Sequence, residues 1–489
     1  MSKTYVKISI LALLSCLLFL FFPQWTNTIS QSYPAPSFDN KEAVSIYREF
    51  LDKHNIKYKK FSPTVMVTSV ESIGLYAQEK KFSEKQIEKL AEHIPFYNVE
   101  LSNAIDDPIL RIDPLSKQVN GGEYFHLSVK NDHEVETFVH EIFGSSFTLL
   151  KKEKNVSDGS FLSKISKDKP TNYVFEGNFH TKNITEKVVI SVTKGHITSF
   201  ERYGDIVGKQ ENQPMKAITF ILPTLVSVLF FIFFVNMMTK FLLGIKRKEI
   251  ISFKQPIYYV VAAAVTGLFL NYLLEDKLSF FSTFMVLFDA CFVFLVASVY
   301  YNDVKTFSIN EWKHPVGLGF LFAAIASGIS TIFYSIALSF GAWSAPTFDF
   351  PIYMQTHKWM ILFFPLCIGV TAAICEEILY RLCLDKLFSK LPVWLVALVS
   401  SFIWALVHLG YEVFPWYLRV IELTLFIGPF LFYIYKKFSI KTSMMTHYFF
   451  NSFFSSFSLL YFDVKIGFTA LLLTLFPFLV FLFKQKKTP

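Results

Sequence analysis

The run CEEILYRLC, Cys375 to Cys383, decides how this chain is read. It sets Glu376, Glu377 and Arg381 inside apolar sequence, with WMILFFPLCIGVTAAI before it and LDKLF after it. Charges in a stretch apolar enough to cross a bilayer are costly unless they face a bundle interior and pair, or do chemistry. Helical spacing sorts the three. Glu377 and Arg381 stand at i and i+4 with the acid first, the favoured order for an ion pair. Glu376 is turned by about 100° from Glu377. The expectation is that Glu377 and Arg381 satisfy each other, while Glu376 is left free in a low-dielectric site as a candidate general base.

The surrounding composition agrees with a membrane setting. The chain has 489 residues, 52% hydrophobic and 18% charged, where soluble domains carry about a quarter charged residues. Apolar runs long enough to span a bilayer recur from Ala217 to Phe483. The fold class expected is an all-α polytopic membrane bundle of about ten transmembrane helices with an inserted extracytoplasmic α+β domain. The net charge of +8 is no nucleic-acid signature. The Lys and Arg residues gather at the ends of the apolar runs, as the positive-inside rule requires. The five cysteines all fall in apolar segments, none between 25 and 215. No disulfide framework is therefore expected there, and the cysteines read as small core hydrophobes.

The opening MSKTYVKISILALLSCLLFLFFPQW is a basic tip followed by an apolar run, read as a signal anchor over 1–24. Residues 25–215 are polar. NKEAVSIYREFLDKHNI puts Ala43, Val44, Tyr47, Phe50 and Leu51 at helical spacing, and FSEKQIEKLAEHI reads as a second helix starting near Ser83 and Glu84. EYFHLSVK alternates like a strand, and EKVVISVTKGHITSFERYG reads as two strands about a Lys194-Gly195 turn. Nine more spans are expected, near 216–243, 257–275, 279–301, 315–340, 358–386, 393–411, 417–435, 443–461 and 466–483. Those up to 340 form helices 2–5, and 341–489 forms the core of helices 6–10. Every strongly basic loop, such as GIKRKEIISFK, YKKFSIK and the terminal KQKKTP, then falls on one side. That puts both termini in the cytoplasm and 25–215 outside. No internal repeat is apparent, which argues against a repeat-built transporter.

The histidines narrow the site. Of eleven, seven lie in 25–215, His314 and His357 lie in loops, and only His408 and His447 lie in spans. His408 closes SSFIWALVH with Trp404 four residues earlier, and His447 opens HYFFN with Asn451 four residues later. Three helices thus offer polar groups to one buried site: Glu376, His408, and His447 with Asn451.

EEILYR matches the EExxxR motif of the CAAX protease and bacteriocin-processing (CPBP, or Abi) family of intramembrane proteases. WALVH resembles its FxxxH motif, with Trp404 where Phe is usual, and HYFFN resembles its HxxxN motif. The resemblance covers about 340–465 well, the earlier spans loosely and the polar domain not at all. It implies hydrolysis of a peptide bond in a membrane-associated protein or peptide. Glu376 and His408 would activate water, His447 and Asn451 would stabilise the oxyanion, and Glu377, Arg381 and Trp404 would support them. It implies no cofactor on a glutamate-and-histidine mechanism. The alternative is a divalent metal such as zinc on Glu376, His408 and His447, although no HExxH occurs and VHEIFG at His140-Glu141 lacks a second histidine.

Blander readings stand beside these. The acids and Arg381 could form a structural ion-pair cluster, His408 could sit at a membrane interface, and His447 with Asn451 could bond helix to helix. Asp289 is a buried acid without an evident partner, and Glu422 has Arg419 at i−3 for a local pair. A non-catalytic protein of the same fold, such as a bacteriocin self-immunity factor or scaffold, is the alternative function. The expected partners are a lipid bilayer, a membrane-associated substrate and an extracytoplasmic partner for 25–215, with no nucleic acid. The Phe-, Lys- and Ile-rich composition and short loops suggest a bacterial plasma membrane. Counting about 1.5 Å per residue from the basic loops puts Glu376 about 15 Å deep, His447 about 9 Å and His408 about 21–24 Å. Long side chains, tilt or an interfacial helix at 384–395 could close that gap.

Overall fold

The computed structural model describes residues 3–21, 36–58, 63–102 without 71, 72, 75, 78, 79 and 81, 107–154, 169–206 without 182, 213–305 without 250–252, 276, 277 and 279, 309–344 without 341, 352, 354, 355, and 357–483 without 410–412 and 416. The Lys-rich end 484–489 and most of loop 345–356 lie outside the described residues. The chain divides into two compact units. One holds 1–28, 212–344 and 357–489, and the other holds 29–211 and 345–356.

Helix α1 (Lys3–Phe21) belongs to the first unit. The second unit runs α2 (Asn40–Lys53), β1 (Thr64–Ser69), α3 (Glu84–Ala91), β2 (Tyr97–Ser102), β3 (Ile109–Ile112), β4 (Val119–Ser128), α4 (Asp132–Phe143), β5 (Thr148–Lys154), β6 (Thr171–His180), β7 (Ile184–Thr193) and β8 (His196–Ile206). Its eight strands form one antiparallel sheet in the order β1-β2-β3-β4-β8-β7-β6-β5. The expected β7–β8 turn forms with φ of 51° at Lys194 and 74° at Gly195, the positive pair a type I′ hairpin needs. α3 is capped as expected, with Ser83 bonded to the Gln86 amide oxygen.

This order contains a duplication that sequence reading missed. Each half opens on a helix and carries four antiparallel strands in chain order, with α3 inserted between β1 and β2 in the first half, and the last strands, β4 and β8, pair at the centre. Both helices open on the same device. Asp39 accepts from the Glu42 N–H, and Asn131 accepts from the Glu134 N–H. Both cover the same face, since the Phe200 ring meets Phe50 of α2 at 6.0 Å and Phe138 of α4 at 5.2 Å. The halves share capping and apolar spacing more than residue identity, so no repeat shows in the letters. Residues 345–356 join this unit, where the Met354 carbonyl accepts from the Asn40 N–H at 3.0 Å.

The first unit is helical. It continues with α5 (Gln213–Lys246), α6 (Lys254–Glu275), α7 (Phe280–Val299) and α8 (Lys313–Ser339). α9 runs Phe364–Glu376, widens to a π-helical turn over Glu377–Cys383 and closes at Leu384–Leu387. α10 is Val393–Leu406. α11 runs Tyr417–Glu422, passes a second π-turn at Leu423–Ile427 and continues Gly428–Lys437. That turn precedes Pro429, whose ring would clash with a regular helical carbonyl one turn back. α12 is Ile440–Phe462 and α13 is Val464–Thr474.

Helix therefore occupies all ten expected runs. Among the described residues, seven helices are long and apolar enough to cross a membrane. Tyr5–Leu18 and Val393–Leu406 are shorter, and α12 is long but carries a polar face with Ser443, His447 and Asn451. The core joins Phe292, Ile378, Trp404, Leu431, Met444 and Phe449. The helices that carry the polar groups approach closely. A Cβ on Gly319 of α8 would sit 2.5 Å from Met445 Cβ and 2.8 Å from its carbonyl carbon, so this contact requires glycine.

Candidate active site

Glu376 ends the α-helical part of α9, and Glu377 and Arg381 lie in the π-turn. A π-turn takes one extra residue per hydrogen-bonded ring and recurs at functional sites. Glu377 and Arg381 are fully buried, and the guanidinium Nε lies 3.6 Å from Glu377 Oε1. The expected pair is present, at ion-pair rather than hydrogen-bond distance. The Arg381 guanidinium also stacks on the Trp404 ring, 4.2 Å from its centroid. None of its three nitrogens has a hydrogen-bond partner among the described residues.

Glu377 is instead satisfied by α12. His447 Nδ1 is 2.8 Å from its Oε1, and Ser443 Oγ bonds its Oε2. The same hydroxyl lies 3.1 Å from the Leu431 carbonyl. A carboxylate can only accept, so His447 Nδ1 carries the proton and Nε2 faces away. Nε2 lies 3.7 Å from Glu376 Oε2. His408 repeats the arrangement. Its Nδ1 lies 2.8 Å from the Trp404 carbonyl and must donate, which leaves its Nε2 3.8 Å from the same Glu376 Oε2. The two rings stand edge-on to the Trp404 indole, at 5.1 Å for His408 and 5.5 Å for His447.

The structure thus brings together Glu376, His408, His447, Glu377, Arg381 and Trp404. Asn451 lies one turn beyond His447, half-buried, and among the described residues no hydrogen bond ties its amide to the others. Two expectations are corrected. Glu376 is not left free, because its Oε2 accepts the Trp404 indole N–H. Nor does an interfacial helix over 384–395 bring the histidines level. The helix stops at Leu387, and His408 lies in the turn that follows the short α10. Sequence reasoning missed Ser443. It precedes His447 by one turn on the same face, a spacing that could have flagged it.

Two neighbouring acids behave differently. Asp289, on α7, lies half-buried within electrostatic reach of Glu376. Glu422 is fully buried and accepts from Arg419 at 2.6 Å, from Tyr334 Oη at 2.8 Å and from Ser330. The local pair with Arg419 is there, inside a larger buried network.

Zinc ligands of this kind sit about 2.0–2.2 Å from the metal. Ligands at that distance stand about 3.3–3.6 Å from one another, and Glu376 Oε2 lies 3.7 and 3.8 Å from the two Nε2 atoms. Glu376 Oε2 is already engaged by the indole N–H, and among the described residues no group of three or more His, Cys, Asp or Glu is arranged to hold a metal ion.

Residues 358–453 match the family model described as type II CAAX prenyl endopeptidase Rce1-like. Over these residues the chain is similar to the CAAX-protease family. The matched segment runs from the turn before α9 into α12 and contains all three motifs. Neither the curated proteins nor the solved structures hold a match to the chain. The CAAX-protease likeness, together with seven helices long and apolar enough to cross a membrane among the described residues, supports a multi-pass membrane protein, and the sheet unit lies outside the matched residues.

Proposed function

We propose that this chain is a membrane-embedded endopeptidase that hydrolyses a peptide bond of a membrane-associated protein or peptide with a water activated by Glu376 and His408. The observation that carries the proposal is the approach of both imidazole Nε2 atoms to one carboxylate oxygen, at 3.7 and 3.8 Å. Each imidazole is held from behind through its Nδ1–H. One water, held at about 2.8 Å by the Glu376 carboxylate and by His408 Nε2, is the nucleophile. Glu376 takes its proton as the oxygen attacks the scissile carbonyl, and returns it to the leaving amine. His447 with Asn451 faces the developing oxyanion. Because Nδ1–H is committed to Glu377, His447 donates to the oxyanion from Nε2 only as the doubly protonated ring. The mechanism is metal-free.

The same proposal places both termini in the cytoplasm of a bacterial cell, lets ten helices cross the membrane and sets the sheet unit outside, where it binds a partner or substrate. The test compares cells carrying wild type and Glu376→Gln by N-terminal peptide mapping of membrane proteomes. Cleavages present only with wild type are expected. Identical peptide sets at equal protein levels would reject the protease reading.

A further inference from the structure

The atom at the centre of the site is Glu376 Oε2, and three nitrogens surround it. With each Nδ1 proton committed elsewhere, the neutral His408 and His447 rings turn lone pairs, not protons, toward that oxygen. Two lone pairs repel a carboxylate oxygen. Within this ring of three, the Trp404 indole N–H alone brings a proton to it while both rings are neutral. Trp404 is 2% exposed, so its N–H has no water to bond instead. The Arg381 guanidinium over the indole face, at 4.2 Å, draws electron density from the ring and strengthens the N–H as a donor. No hydrogen bond engages Glu376 Oε1 among the described residues, and the Glu376 side chain is 23% exposed where Glu377 is sealed.

We infer that the Trp404 indole N–H is a positioning group that clamps Glu376 Oε2 and so presents Oε1 to the reacting water; the inference rests on the protease reading of the site. The phenylalanine usual at this place in the motif cannot do this, because it has no N–H. In this chain the motif's aromatic residue has gained a polar duty, and Arg381 reaches Glu376 through it.

The test replaces Trp404 with Phe and, separately, with 3-benzothienylalanine, which keeps the bicyclic shape but puts sulfur in place of N–H. Losing a hydrogen bond to a charged group predicts a kcat lower by roughly tenfold to a hundredfold in both variants, with KM unchanged. If 3-benzothienylalanine keeps wild-type kcat, ring shape suffices and the inference is wrong. A rise in KM with kcat intact overturns it equally. A second readout needs no turnover. The ultraviolet resonance Raman difference between wild type and Trp404→Phe isolates this indole, and its N–H-sensitive band is expected to show a strong hydrogen bond that weakens in Glu376→Ala. A band unmoved by Glu376→Ala overturns the clamp. A band that moves in a chain with no Glu376-dependent cleavage upholds the clamp and rejects the protease reading instead.

Discussion

The Glu377–Arg381 pair offers a quantitative test of how the site is held. Both side chains are fully buried and 3.6 Å apart, so water screens neither. At the effective dielectric that suits protein pairs, this separation corresponds to about 4–5 kcal/mol of attraction before desolvation is counted. Glu377→Gln keeps an oxygen for one of the His447 and Ser443 protons, turns an NH2 toward the other donor and removes the charge. It leaves Arg381 with the Trp404 face and no hydrogen bond. Stranding a buried charge costs about 3–5 kcal/mol, and this variant belongs at the upper end. Arg381→Met leaves a carboxylate that still accepts from Ser443 and His447, so it belongs near about 3 kcal/mol. The double variant strands nothing, and its cost should fall short of the sum of the singles by about 2 kcal/mol. Unfolding in mixed micelles by SDS titration, followed by tryptophan fluorescence, reads all four proteins. Singles that add within about 0.5 kcal/mol would show that the pair is not coupled, and the account of the π-turn would fail.

Three further outcomes are expected. Cleavage should persist after prolonged treatment with EDTA and 1,10-phenanthroline; loss that zinc restores would refute the metal-free reading. Gly319→Val should push α12 off α8 at Met445, two residues from His447, costing about 1–3 kcal/mol and lowering cleavage, whereas unchanged cleavage and stability would disprove the close approach. In the sheet unit, burial between Phe50 and Phe138 lowers the His54 pKa. The fold therefore favours the neutral ring, and its stability contribution is full above the ordinary value of about 6.5 and is lost as pH falls below it. The protection factors of α2 and α4, exchange rates corrected for the intrinsic pH dependence of amide exchange, should fall between pH 7.5 and 5 in wild type and much less in His54→Leu; equal falls would contradict the assignment.

The site was legible in the letters to an unusual extent because a membrane makes polar residues expensive. Glu376, Glu377, Arg381, His408 and His447 stand out against apolar sequence, and helical spacing put Glu377 and Arg381 within ion-pair reach, although His447 and Ser443, not Arg381, satisfy the carboxylate by hydrogen bonds. The same logic could not show what lies across the helix interface. Ser443 looked like one hydroxyl among many until it bonded Glu377. Trp404 read as packing because its N–H has no direction in a sequence. Asn451 shared a face with His447, yet a shared face did not tie its amide to the cluster.

Periodicity and composition are properties of the chain alone, so they sufficed for the helical runs, the separate polar domain and the identity of the charged cluster. Depth counts did not, because they assume straight helices of equal tilt. A π-turn in α9, a short α10 with His408 in the turn beyond it, and glycine contacts that draw α8 onto α12 are settled only when the helices pack. The duplicated half-sheets likewise emerge only once β4 finds β8, since backbone pairing constrains shape and burial far more than it constrains which residues are used.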